Sequence, residues 1–100
     1  MSGACPELGF RVELALTIGL SERTIGELWR DFRRDVIDAR GLACERHVKG
    51  EHWSMVIRSQ ASQAMDTDRD ALRDWAGGRG EIASLQVDPI VDLTVVHESP

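Results

Sequence analysis

The first pattern along the chain is a strict alternation of apolar with polar or small residues between Phe10 and Thr17. The apolar members are Phe10, Val12, Leu14 and Leu16. A period of two is typical of a strand that buries only one of its faces. We therefore predict a half-buried first strand.

A longer segment with helical period follows Ser21. The Ser21 hydroxyl can accept hydrogen bonds from the free backbone N–H groups of a first turn, so we expect a helix to begin there. With residues placed at ~100° intervals, the apolar side chains share one face. They are Ile25, Leu28, Trp29, Phe32, Val36 and Ala39, with Ile37 at the border. Gly41 suits the position just past the end of this helix.

Two β-prone segments, Leu42–Val48 and Trp53–Arg58, are separated by Lys49, Gly50 and Glu51. A connection of this length and composition favours a hairpin. We expect every second residue from Trp53 to Ile57 to point to the core, with Cys44 opposite them.

The second half of the chain is more polar. Ser59 to Asp66 is predicted to be a loop, and Thr67 with Asp70 resembles a capping box that opens a second helix. The glycines at 77, 78 and 80 would end that helix. A turn around Asp88 and Pro89 then precedes Ile90–Val96, which is rich enough in β-branched residues to be the last strand.

The predicted order of elements is therefore β-α-β-β-α-β. That order favours an α+β, ferredoxin-like fold, in which a four-stranded antiparallel sheet carries both helices on one face. A chain of 100 residues is long enough to bury one modest core, so we expect residues 1–100 to form a single domain with a core from about 7 to 96.

Composition limits the classes of function. The formal net charge is −5, with a pI near 5.1, and this argues against binding nucleic acid by bulk electrostatics. Met1–Pro6 lacks the basic start of a secretory signal, and the apolar-rich run from Leu14 to Leu20 is too short to cross a bilayer. We expect a cytoplasmic protein that does not enter membranes, with Cys5 and Cys44 as free thiols.

Candidate catalytic residues are sparse. His47 and His52 flank the predicted hairpin turn, but Cys44 and His47 would point to opposite faces of a strand, so we interpret these histidines as exposed and not as metal ligands. Gly77-Gly78-Arg79-Gly80 follows a helix instead of opening one, which is the wrong side for binding a phosphate. We predict no enzyme activity, no metal and no cofactor.

Several short segments resemble the YggL family. They are Glu7-Leu8-Gly9-Phe10, Asp31-Phe32 with Val36-Ile37, Leu42-Ala43, Arg69, Asp74-Trp75 and Val91-Asp92-Leu93. The resemblance implies a small, non-catalytic cytoplasmic protein that associates with the large (50S) ribosomal subunit, through ribosomal RNA, ribosomal protein or both. Some family members also carry a basic arm before the first of these segments, whereas Met1–Pro6 has neither lysine nor arginine.

The expected contact surface is the polar side of the first helix. It carries Arg23, Arg30 and Arg34 in a line, with Arg33 beside them. An ordinary solvated helix face would show a similar pattern. The alternative function is a ligand-sensing or self-associating module that uses the open face of the sheet, in which case a weak homodimer is expected.

Overall fold

The computed structural model describes residues 7–60 and 63–93. Its elements follow in the order β1 (Leu8–Leu16), α1 (Glu22–Phe32), a π-helical continuation of α1 (Arg33–Asp38), β2 (Leu42–Lys49), β3 (His52–Ser59), α2 (Asp66–Gly77), β4 (Ile82–Val87) and β5 (Val91–Asp92). The strands form one antiparallel sheet in the order β2-β3-β1-β4, and β5 pairs with the start of β1. Within these residues, no helix is both long and apolar enough to span a membrane.

The alternation in β1 predicts its burial correctly. The side chains at 10, 12, 14 and 16 are buried, and those at 11, 13 and 15 are not. In β3, Trp53, Met55 and Ile57 are buried beside them. Both helices cover this face of the sheet, and Leu28, Phe32 and Leu72 complete one hydrophobic cluster with the strands. Trp29, which the helical pattern places on the apolar face of α1, lies at the edge of this cluster and is half-buried, as is Trp75 of α2.

α1 begins and ends where the sequence predicts, although its last part is not α-helical. The Ser21 hydroxyl accepts a hydrogen bond from the Thr24 N–H at 3.1 Å, and Gly41 takes a positive φ of 64°. From Arg33 onward the turns widen into a π-helix. The wider turn buries the adjacent residues Val36 and Ile37 together.

The predicted hairpin is confirmed. Lys49 pairs with His52, and Cys44 pairs with Ile57, so Cys44 lies on the helix-covered face. Gly50 occupies the tight turn with a positive φ of 61°, a conformation that glycine adopts without steric cost.

The predicted cap of the second helix is wrong. α2 begins at Asp66, and the side chain of Asp68, not that of Asp70, accepts a hydrogen bond from the Met65 N–H at 2.8 Å. Asp68 is almost fully buried and also binds Arg40 at 2.7 Å. This ion pair joins the start of α2 to the segment that follows α1.

The last part of the sheet also differs from the prediction. The fourth strand, β4, lies before Asp88 and Pro89, and β5 has only two residues; residues 94–96 of the predicted strand lie outside the described chain. The Asp88 N–H still donates to the Arg11 carbonyl at 2.9 Å, but proline has no N–H with which to continue the ladder. The four strands predicted for a ferredoxin-like fold are therefore corrected to five, because β4 and β5 follow each other along β1.

Gly9 makes the junction between β1 and β5 possible. A methyl group at this position would lie 2.5 Å from the Ile57 carbonyl oxygen and 2.6 Å from Cδ1 of Leu93. The backbone N–H of Leu93 donates to the Glu7 carbonyl at 2.8 Å, and the Leu93 side chain is buried. Glu7–Phe10 and Val91–Leu93, which are far apart in sequence, thus meet at one end of the sheet.

Candidate functional site: an arginine–tryptophan surface on α1 and β2

The four arginines predicted on α1 differ in how their charges are compensated. Arg23 is 89% exposed and pairs with Glu27 at 3.4 Å. Arg34 pairs with Asp31 at 3.2 Å and with Asp35 at 2.8 Å. The Asp35 carboxylate raises the pKa of Arg34, and the Arg34 hydrogen bond in turn lowers the pKa of Asp35. Both arginines are therefore already partly neutralised.

Arg30 and Arg33 are exposed, and no carboxylate of residues 7–60 or 63–93 lies within ion-pair distance of either. The guanidinium carbon of Arg33 lies 5.9 Å from the centre of the Trp29 ring. An aromatic ring attracts a cation without cancelling its charge. Arg33 therefore keeps its positive charge available to an anion.

β2 supplies a further arginine without a described carboxylate partner, Arg46, which was not predicted. The guanidinium carbon of Arg46 lies 3.9 Å from the centre of the Trp29 ring and 4.8 Å from the centre of the Trp53 ring. The two tryptophan rings meet edge to face. Partial burial lowers the pKa of Arg46, and no described carboxylate pairs with it. The strand register could have predicted the position of Arg46, because Arg46 lies two residues after Cys44 and therefore shares its face of the sheet.

We call Trp29, Arg30, Arg33 and Arg46 the arginine–tryptophan surface. Beside it an open groove with a volume of about 530 Å³ runs along α1. The groove is lined by Gly26, Trp29, Arg30, Arg33, Arg34 and Asp38. Three of its six lining residues are arginines, and Asp38 is its single carboxylate.

Most other arginines in the described chain are held by carboxylates. The pairs are Arg40 with Asp68, Arg58 with Glu7 and Glu45, Arg69 with Asp66, Arg73 with Asp70, and Arg79 with Asp31 and Asp35. Arg11 and Lys49 have no such partner there, but the strand register places both on the opposite, open face of the sheet. The arginine–tryptophan surface is thus where uncompensated positive charge gathers on the helix side.

The open face of the sheet carries its own polar network. The Glu13 carboxylate contacts the His52 ring and accepts a hydrogen bond from Ser54 at 2.8 Å, and these two partners lower the pKa of Glu13. Within the described residues, no cluster of histidine, cysteine and acidic side chains could hold a metal ion. His47 is exposed, as predicted, whereas Cys5 and His97 lie outside the described residues.

Cys44 lies beside the arginine–tryptophan surface as a free thiol. Burial raises its pKa to about 11, although the charges of Arg46 and Arg33 oppose this shift. A thiol with so high a pKa is a poor nucleophile at neutral pH. Cys44 therefore has a packing role in β2.

A comparison with protein families finds a match over residues 3–95 to the family described as YggL 50S ribosome-binding protein. The chain belongs to this family. No curated protein and no solved structure matches the chain significantly. The family description refers to the large ribosomal subunit and does not say which residues bind it.

In this YggL chain, the segments that resemble the family serve the fold. Glu7–Phe10 meets Val91–Leu93 at the end of the sheet, and Phe32 is fully buried. Asp31 binds Arg34 and Arg79. No residue of the arginine–tryptophan surface belongs to those segments. The family motifs alone would therefore not have located this surface.

Proposed function

We propose that this protein is a non-catalytic, cytoplasmic, ribosome-associated protein that binds the large ribosomal subunit through the arginine–tryptophan surface. The family description supports the choice of partner. The observation that supports the choice of surface is that Arg33 and Arg46 lie over the Trp29 ring and Arg30 lines the groove beside it. None of the three has a carboxylate partner among the described residues.

The overall charge makes the position of this surface important. A protein with a formal charge of −5 is repelled by RNA at a distance, so binding depends on a local group of cations that can displace counterions. A guanidinium already paired with a carboxylate must break that pair before it binds a phosphate. Arg30 and Arg33 should therefore contribute more than Arg23 and Arg34, which the sequence pattern treats as equivalent.

Co-sedimentation with purified large subunits tests this proposal. The double variant Arg30→Glu/Arg33→Glu reverses two uncompensated charges, and Arg23→Glu/Arg73→Glu, a matched control, makes the same change in net charge at two paired arginines. We expect the first variant to lose binding and the control to bind nearly as well as the parent. Each lost phosphate contact should also reduce the slope of log K against log salt by about 0.7–0.9.

Two results would contradict the proposal. If both double variants lose binding equally, net charge and not this surface determines the affinity. If the folded parent does not co-sediment even at low salt, this YggL protein does not bind the isolated large subunit.

A further inference from the structure

We infer that the groove along α1 binds an unpaired nucleotide of ribosomal RNA, with the base against Trp29 and the phosphates on Arg30 and Arg33. This inference rests on the proposed function, because it assumes that the same surface faces the ribosome. It specifies the kind of RNA that is recognised, which is a single-stranded loop or bulge and not a duplex.

The groove combines the two features that a nucleotide needs. Trp29 is half-buried and supplies aromatic surface to the groove wall. Arg30 and Arg33 line the same groove and have no carboxylate partner in the described chain. Proteins that bind single-stranded RNA use this combination, in which an aromatic side chain stacks on a base while cations follow the backbone.

Asp38 argues against a purely anionic occupant. Its exposed carboxylate lines the groove and would repel an acidic peptide or a bare phosphate. The same oxygen atoms could accept a hydrogen bond from a base amino group or a ribose 2′-hydroxyl, both of which belong to a nucleotide. A duplex is disfavoured because its base faces are already stacked on their neighbours and cannot reach Trp29.

Arg46 is a positioning residue for Trp29. The guanidinium carbon of Arg46 lies 3.9 Å from the centre of the Trp29 ring. The Trp53 ring is nearly perpendicular to the Trp29 ring at 5.5 Å between centroids, and the Phe32 ring stacks on it at 5.8 Å. These contacts fix the orientation of the indole before any ligand arrives, which reduces the entropic cost of stacking a base on it.

A second tryptophan offers a matched control. Trp75 is also half-buried, and its ring centre lies 5.2 Å from that of Phe32. The guanidinium carbon of Arg79 lies 4.5 Å from the centre of the Trp75 ring. Arg79, however, pairs with Asp31 and Asp35. Trp75 thus shares the aromatic and cationic contacts of Trp29 without the uncompensated charge.

The test is ultraviolet cross-linking of the unmodified protein to purified large subunits, followed by digestion with nuclease and trypsin. We expect a nucleotide adduct on the tryptic peptide from Thr24 to Arg30, which contains Trp29. In binding assays Trp29→Leu should weaken subunit binding about 5- to 150-fold, the range for loss of one stacked base, while Trp75→Leu binds like the parent. Single-stranded RNA should compete with the subunit better than a duplex of the same length.

Failure of this inference can be distinguished from failure of the proposed function. If the parent co-sediments but its cross-links lead only to ribosomal proteins, or if duplex competes as well as single strand, the groove does not bind an unpaired nucleotide, and ribosome binding still stands. If the parent does not co-sediment at all, the proposed function fails first. Because the adduct is mapped on the unmodified chain, a poorly folded Trp29→Leu variant would not obscure the result.

Discussion

Replacement of Gly9 by alanine should destabilise the fold through a clash at the end of the sheet. The added methyl carbon would lie 2.5 Å from the Ile57 carbonyl oxygen and 2.6 Å from Cδ1 of Leu93. The Leu93 side chain is buried and cannot move without disturbing the core, and the Ile57 carbonyl belongs to the neighbouring strand β3 and cannot move without disturbing the ladder. Overpacking of this kind costs about 1–3 kcal/mol, a large share of the ~5–15 kcal/mol that stabilises a typical domain.

Gly26→Ala is the matched control for this substitution. Gly26 lies within α1, and nothing lies within 4 Å of the position its methyl group would take. Alanine there should stabilise the protein by about 0.5–1 kcal/mol, because glycine is the poorer helix former. Urea unfolding followed by tryptophan fluorescence measures both effects, and the Gly9→Ala melting temperature should fall by ~4–8 °C for each kcal/mol lost.

The two clashes at Gly9 can be separated with Leu93→Ala. In that background Gly9→Ala should lower the free energy of unfolding by a smaller amount, because the contact with Leu93 is gone. Some destabilisation should remain, because the Ile57 carbonyl is still in place. Equal stability of Gly9→Ala and Gly26→Ala would refute the reasoning. So would a cost of Gly9→Ala that is unchanged when Leu93 is removed.

Three further predictions concern the core, the α2 cap and the buried thiol. Phe32→Ala, which empties a fully buried site, should cost ~3–5 kcal/mol in urea unfolding; stability equal to the parent would contradict the packing described. Asp68→Ala removes the cap and the Arg40 pair and should cost about 1–3 kcal/mol, and Asp68→Asn, which keeps an acceptor oxygen, should cost less in the same assay. In a Cys5→Ser background, Cys44 should be alkylated ~100-fold more slowly than an ordinary thiol, because burial raises its pKa from 9.0 to about 11. The neutral thiol is the form that the fold favours, so its contribution to stability is complete below pH 9 and is lost as the pH rises toward 11; rapid alkylation of the native protein would disprove this burial.

Local periodicity predicted the first half of the chain well. The two-residue period from Phe10 and the helical period after Ser21 each depend on one element burying one face, which a sequence shows directly. The strand β4 (Ile82–Val87) was missed, because the prediction followed local β-propensity. Ile90–Val96 is richer in β-branched residues than β4, but strand position depends on pairing with β1, and local propensity carries little information about that pairing.

The candidate site was predicted only in part. The sequence identifies Arg30 and Arg33 as exposed helix residues, but the compensation of charge depends on distant partners. Arg79, for example, reaches Asp31 across 48 positions of sequence. Arg46 follows from the strand register once Cys44 is assigned to the core face, whereas its stacking on Trp29 requires the packing of α1 against β2.

The position of β1 in the sheet has a consequence for synthesis. Its Val12 pairs with Val87 and its Leu8 with Asp92, so β1 leaves the ribosome well before β4 and β5, the strands that cover its second edge. Contacts this distant in sequence close slowly, since the loop entropy is lost before the pairing energy is gained. While β4 and β5 are still being made, the nascent chain exposes an unpaired β1 edge, which is the kind of surface that aggregates or recruits chaperones. We expect the complete sheet to form only after residue 92 has emerged.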